Sequence, residues 1–213
     1  MIHIEFGDFS NEEFFNLYDK YVIRNADSLG MNEQELQMVL DHWNNEKKLN
    51  EAKNSKPNFE DIIMQLKQFF ELSKKQELPV SRIHLHPYGS FLICYDPKKW
   101  EDAKEAIIKS SLAVPHYCVH PSEESDLVKE ADYFEIAEMP ERFKHPKNPD
   151  ESIEIKKGQL LYDFELNDDY KCYLQFSIKC HKLFKTAGLG DTISGMGFIY
   201  HRPAGVAANN RTK

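Results

Sequence analysis

No apolar run in this chain approaches the roughly 20 residues that a membrane-crossing helix needs. The opening Met1-Ile2-His3-Ile4-Glu5-Phe6 has neither the basic start nor the long apolar stretch of a signal peptide. No two of the four cysteines, Cys94, Cys118, Cys172 and Cys180, are in CxxC spacing, which removes the usual zinc framework. Their apolar and aromatic neighbours suit reduced core residues. One disulfide stays open, and with it the redox compartment. Lys and Arg are scattered rather than blocked, and the formal net charge is -8, which argues against a nucleic-acid groove. No internal repeat is visible.

With 213 residues, 41% of them apolar, the chain can bury one sizeable core. A second small domain is possible. The residues 2–6 read as a strand by alternation. Ser10, with Glu13 three residues on, signals a helix start, and Asn11 to Val22 has helical periodicity. Ala26 to Leu29 reads as a second strand closed by Gly30, and Asn32 to Trp43 as a helix. Asn44 to Asn58 is polar and reads as a mobile loop. The apolar stripe Phe59, Ile62, Ile63, Leu66, Phe69 and Phe70 marks an amphipathic helix.

Strands are then expected at Arg82 to His86 and Ser90 to Tyr95, and a helix at Lys99 to Ser111. Val114 to Pro149 reads as irregular around a strand at Tyr133 to Ile136. An antiparallel pair, Gln159 to Leu166 and Lys171 to Lys179, turns at Asn167-Asp168-Asp169. A last helix runs from Asp191 to Tyr200, and 201–213 reads as a frayed polar tail. Strands alternating with helices mean an α/β fold with a largely parallel sheet and a late antiparallel hairpin.

The sharpest motif is Lys185-Thr186-Ala187-Gly188-Leu189-Gly190-Asp191-Thr192. Two glycines before a helix let successive N–H groups point one way, and the helix N-terminus adds unpaired donors. Such a cradle suits the charge of a phosphoryl group in transfer. Asp191, in the first helical turn, could take the proton of an attacking hydroxyl. The plainer alternative is a tight turn with Asp191 as a helix cap. The glycines that follow, Gly195 and Gly197, cost a helix about 1 kcal/mol each and imply something packed closely against it.

Asn32-Glu33-Gln34-Glu35 stands at a strand-to-helix junction, where open α/β sheets bind ligands. Glu35 is an oxygen donor of the kind Mg²⁺ takes; the alternative is a capping box with Asn32. In His3-Ile4-Glu5, alternation puts His3 and Glu5 on one strand face, where a buried carboxylate needs a partner such as a metal. The alternative is an edge strand with a solvated Glu5. His84 and His86 also share a face, but lack further ligands for zinc and read as core histidines.

Together these residues resemble the ADP-dependent glucokinases and phosphofructokinases of the ribokinase-like superfamily. His3 to Glu5 is similar to the HxE motif, Leu29 to Leu36 to the NxxE region, Ser81 to His86 to an SRIHxH strand, and Lys185 to Ser194 to an RTVGLGDxIS segment. The likeness is nearest to the animal-type glucokinases. It implies a ribokinase-like Rossmann-type sandwich and transfer of the β-phosphate of ADP to the 6-hydroxyl of glucose, yielding AMP and glucose 6-phosphate.

By the same resemblance Asp191 would be the catalytic base. Gly188, Leu189 and Gly190 would form the anion hole. Glu5, Glu35 and Asp191 would arrange Mg²⁺ largely through its waters, with Asn32, His3 and Lys185 in support. Lys185 departs from the family's Arg and loses its bidentate fork; Ala187 replaces a branched residue. The resemblance also implies that residues 1–200 are the C-terminal part of a longer domain, whose preceding half holds most sugar contacts and any targeting signal. The chain itself is expected to be soluble, in the cytoplasm or a secretory-pathway lumen. The alternatives are an ADP-dependent phosphofructokinase or a catalytically silent nucleotide-binding module. Oligomeric state is not legible.

Overall fold

The computed structural model describes residues 1–7, 11–44, 58–87, 89–114, 134–136, 140–176, 178–180 and 188–205. In chain order the first elements are β1 (His3–Glu5), α1 (Glu12–Tyr21), a short 3₁₀ turn, β2 (Ser28–Met31), α2 (Glu33–Trp43) and α3 (Phe59–Lys75). Then come β3 (Arg82–Leu85), β4 (Ser90–Tyr95), β5 (Trp100–Glu101), α4 (Ala103–Ser111), β6 (Phe134–Ile136), β7 (Arg142–Lys144) and β8 (Ser152–Glu154). The chain closes with β9 (Leu161–Glu165), β10 (Lys171–Phe176), β11 (Ile178–Cys180), α5 (Leu189–Tyr200) and β12 (Arg202–Pro203).

The main sheet has the order β1-β2-β3-β4-β10-β9. It is parallel from β1 to β3 and antiparallel from there on. The expected α/β sandwich is present, with its parallel part confined to the first three strands. The reason is local: only a short turn separates β3 from β4, too short for the crossover that parallel strands require.

Side chains fix the helices' starts. Asn11, not Ser10, caps α1, its side chain accepting from the Phe14 amide at 3.0 Å; Ser10 lies outside the described residues, as do 45–57 of the expected loop. Asn58 and Asp61 form a reciprocal capping box at α3. Helix α4 begins later than periodicity suggests, because Trp100–Glu101 pairs with β12 as a strand. The same pairing orders the start of the expected tail, and His201 is buried.

The sheet separates two cores. Leu29, Met31, Ile83, Leu85, Leu92 and Cys94 pack with α1, α2 and α3 on one face. Phe91, Ile93 and Tyr95 pack with Trp100, α4 and Ile193 of α5 on the other. Cys94 and Cys172 are register partners of β4 and β10 and form a disulfide across 78 residues of sequence. The expectation of reduced core cysteines fails for this pair, because strand pairing alone brings them together. Cys118 lies outside the described residues.

Helix α5 lies close to the sheet and to α4. A Cβ on Gly197 would come within 2.6 Å of the Ser110 hydroxyl and 2.7 Å of His84 Nδ1, whereas one on Gly195 would meet nothing within 4 Å. Gly195→Ala should therefore stabilise the protein by about 0.5–1 kcal/mol through helix propensity. Gly197→Ala should destabilise it by roughly 1–3 kcal/mol through overpacking. Thermal denaturation of the two variants checks both signs. Replacing Cys94 and Cys172 together by alanine should cost about 2–4 kcal/mol, read from denaturant midpoints under non-reducing conditions.

Candidate active site

Alternation along three neighbouring strands sets the site. His3 and Glu5 of β1, Ser28 and Gly30 of β2, and Arg82 and His84 of β3 share the sheet face that α5 covers, with His86 continuing the row just past β3. His3 Nε2 lies 2.6 Å from Ser194 Oγ on α5, and His3 Nδ1 lies 2.9 Å from Ser28 Oγ. Register puts Glu5 opposite Gly30. Its Oε1 accepts from His86 Nε2 at 2.6 Å. Its Oε2 is buried without a hydrogen-bond partner.

Gly30 does not close its strand as expected. A Cβ there would fall 1.8 Å from Glu5 Oε2 and 2.0 Å from Ser194 Oγ. Its hydrogen side chain is the space that the Glu5 carboxylate and α5 occupy. Gly190 does the same from the helix side, since a Cβ there would meet Glu5 Oε1 and His86 Cε1 at 3.0 Å. The first turn of α5 is thus held directly against the Glu5–His86 pair.

Gly188 precedes α5 with φ of +79°, a conformation that favours glycine. Its carbonyl accepts from the Thr192 amide at 3.0 Å and from Thr192 Oγ1 at 2.8 Å. The amides of Leu189, Gly190 and Asp191 have no helical acceptors, as at every helix start. Asp191 is exposed in that turn, beside Gly190. Lys185 lies outside the described residues.

Glu35 plays the capping role. Its Oε2 accepts from the Asn32 amide at 2.8 Å, while Asn32 Oδ1 accepts from the amides of Gln34 and Glu35, each at 2.9 Å. Burial pushes its carboxyl up to about 7; the Asn32 amide and His86 oppose the shift, and the negative charges of Glu5 and Glu33 add to it. Glu35, Glu5 and His86 therefore lie within electrostatic reach of one another. Tyr18 of α1 feels the same group: burial, then the charges of Glu35 and Glu5, push its phenol up to about 12. For His86, burial favours the neutral ring, but the hydrogen bond and charge of Glu5 outweigh it and raise its pKa.

Behind this group lies a buried cation. Arg82 donates from Nε to His201 Nδ1 at 2.8 Å and from Nη1 to Ser28 Oγ at 2.7 Å. Burial lowers its guanidinium to about 9, and the Glu5 charge opposes this. Burial, then Arg82, hold His3 down to about 3 and His201 down to about 2.

The structure brings Glu5, His3 and Gly190 together and places Glu35 within range. Asn32 supports Glu35 as a cap, and Gly188, Leu189 and Asp191 share the turn that Gly190 seats. His84 and His86 make no zinc pair: their rings stand 6.4 Å apart and nearly perpendicular. Among the described residues no cluster of three or more His, Cys, Asp or Glu is poised to hold a metal directly. Sequence reasoning left out Arg82, Ser28 and Ser194, and read His86 only as a core residue. The available signal was the polar alternation Arg82, His84, His86 in an otherwise apolar strand.

The mixed sheet, parallel from β1 to β3 and flanked by helices, is a ribokinase-like fold. The family model for the ADP-specific phosphofructokinase/glucokinase conserved region matches residues 1–200, and the chain belongs to that family. Three solved structures share the fold. An ADP-dependent kinase in complex with fructose-6-phosphate and ADPβS gives a TM-score of 0.58 at 16% identity, over 93% of this chain and 44% of that one. The last common ancestor of ADP-dependent phosphofructokinases from Methanosarcinales gives 0.56 at 17%, over 93% and 41%. A phosphofructokinase from Pyrococcus horikoshii OT3 with AMP gives 0.57 at 12%, over 93% and 41%. The chain thus spans less than half the length of these structures. Among the described residues no helix is long and apolar enough to cross a membrane.

Because the Glu35 carboxyl is raised in the folded state, its stabilising contribution is complete below its ordinary value of 4.5 and is lost as pH rises towards about 7. The melting temperature of the metal-free protein should therefore fall relative to that of Glu35→Gln across that window and run parallel above it. Calorimetry of the two proteins side by side cancels the opposing contribution of the buried neutral histidines, which is lost as pH falls.

Proposed function

We propose that this chain carries the phosphoryl-transfer apparatus of an ADP-dependent sugar kinase, moving the β-phosphate of ADP to a hexose hydroxyl and releasing AMP. The observation that supports this reading is the seating of the α5 first turn on the Glu5–His86 pair through Gly190, in a chain of the ADP-specific phosphofructokinase/glucokinase family. Asp191, exposed in that turn, would accept the proton of the attacking hydroxyl. The amides of Gly188, Leu189 and Gly190, with the positive end of the helix dipole, would stabilise charge on the moving phosphoryl group. Positioning and electrostatics are the main tasks in phosphoryl transfer, and both are properties of this turn.

Mg²⁺ suits the donors present. Glu5 Oε2 is a buried carboxylate oxygen with no partner, and Glu35 is a second hard oxygen donor within electrostatic reach of Glu5. Glu5, Glu35 and Asp191 would hold the ion, largely through its waters. When bound, Mg²⁺ would supply positive charge to the diphosphate. Burial raises the Glu35 carboxyl to about 7.

Glucose is the proposed acceptor, on the motif likeness to the animal-type glucokinases. The second reading is fructose 6-phosphate, the sugar bound in one of the structures that share the fold. With ADP and Mg²⁺ present, AMP release from each sugar separates the two readings. ADP should bind this chain, measured by calorimetry, while transfer by the chain alone stays slow. Asp191→Asn should lower whatever transfer is measured by about 10²–10⁴-fold and leave ADP affinity intact. ADP binding with a rate indifferent to Asp191 would mark a silent nucleotide-binding module instead.

A further inference from the structure

The two oxygens of Glu5 sit in different surroundings. Oε1 is 2.6 Å from His86 Nε2, whereas Oε2 is buried with no hydrogen-bond partner. Both side chains are nearly closed to solvent, Glu5 at 13% and His86 at 12% exposure. The terminal torsion of a glutamate is broad, so a carboxylate without an anchor swings and exchanges its oxygens. A contact to one oxygen stops the exchange. The contact restrains Oε1 whichever of the two groups carries the hydrogen.

We infer that His86 is a positioning residue that withholds Oε1 of Glu5 from an ion, so that the site meets a divalent cation with single carboxylate oxygens and selects a small ion that keeps its waters over Ca²⁺. Glu35 follows the same pattern, since its Oε2 accepts from the Asn32 amide at 2.8 Å. Each of these carboxylates therefore has one oxygen already engaged by the protein. Ca²⁺ takes roughly six to eight oxygens and often draws both oxygens of one carboxylate. Mg²⁺ is smaller, demands near-octahedral geometry and retains several waters. A pair of one-oxygen donors leaves Ca²⁺ short of ligands and suits the smaller ion.

His86 is itself held in place. Its backbone N–H donates to the Met31 carbonyl at 3.0 Å, which carries the β2–β3 pairing one residue past the end of β3. Pro87 follows, and a proline keeps the residue before it out of the helical region. On the α5 side the ring fills the space beside Gly190, where a Cβ would come within 3.0 Å of Cε1 and 3.3 Å of Nε2. The imidazole thus has a fixed place from which to hold a carboxylate 81 residues away in sequence. Partners of this kind orient metal-binding carboxylates and are worth about 10–100-fold in metal affinity.

The inference rests on the proposed kinase reading for the presence of an ion. Its test is ion binding by the full chain with ADP, not turnover. Mn²⁺ stands in for Mg²⁺ at oxygen sites, and water-proton relaxation reports the ion that the protein holds. Ca²⁺ is then titrated in to displace it, which gives the ratio of the two affinities. The unaltered protein should prefer Mn²⁺. His86→Leu, which fills the place of the ring but offers no N–H, should narrow that preference by about tenfold, because Oε1 becomes available to Ca²⁺. His86→Gln, close to leucine in size and carrying an N–H, should keep the ratio to within about twofold. A variant that merely loosens the fold would weaken both ions together and leave the ratio where it was. An unchanged ratio in His86→Leu, or a ratio in His86→Gln as low as that of His86→Leu, would overturn the positioning role. Ca²⁺ bound as tightly as Mn²⁺ by the unaltered protein would overturn the selectivity without any variant having to fold. An unaltered protein that holds neither ion with ADP would overturn the kinase reading and this inference with it.

Discussion

Everything at this site depends on how closely α5 approaches β1 and β2. A helix normally stands off a sheet by the depth of the side chains between them. Here Gly30 and Gly190 remove that depth at one spot, and the space is filled by a carboxylate, an imidazole and a serine hydroxyl rather than hydrocarbon. The contact is therefore polar and directional. It seats the helix N-terminus at a fixed height and angle, which apolar packing alone specifies less sharply. The buried charge beneath it is balanced in part: Glu5 and Arg82 oppose one another electrostatically, and His86 adds a hydrogen bond to Glu5.

Glu35 shows how one residue can satisfy two readings of a sequence. As the third residue of α2 it completes the capping box with Asn32, the structural role its spacing suggests. The same geometry holds its carboxylate near Glu5 and His86, in surroundings dry enough to raise its pKa. The cap would supply the rigidity with which the proposed ligand position is held. The structural and functional readings are therefore compatible.

Much of the architecture could be read from the sequence, because it follows from local rules. The stripe of Phe59, Ile62, Leu66, Phe69 and Phe70 gave α3, and the Asn-x-x-Glu spacing gave the start of α2. What escaped depends on contacts far apart in sequence. Gly30 looked like a strand end because only the folded structure shows Glu5 and Ser194 filling its side-chain space. Strands β5 and β12 are two residues each and exist only because they pair. The disulfide joins cysteines that only the register of β4 and β10 makes neighbours. Within the site, His3, Glu5 and Gly190 could be picked out by motif. Arg82 could not, since an arginine in a short strand usually points to solvent and this one is fully buried.

Strand β3 is covered on both faces, yet its two faces differ in chemistry. Ile83 and Leu85 enter the larger apolar core, while Arg82 and His84 enter the layer beneath α5. A slip of one residue in its pairing with β2 or β4 would drive an arginine and a histidine into hydrocarbon and strand two aliphatic side chains among hydrogen-bonding groups. A strand that reads as apolar on both sides, as in many parallel sheets, carries no such penalty for misalignment. The polar row that serves the site is thus also an alignment key for the centre of the sheet.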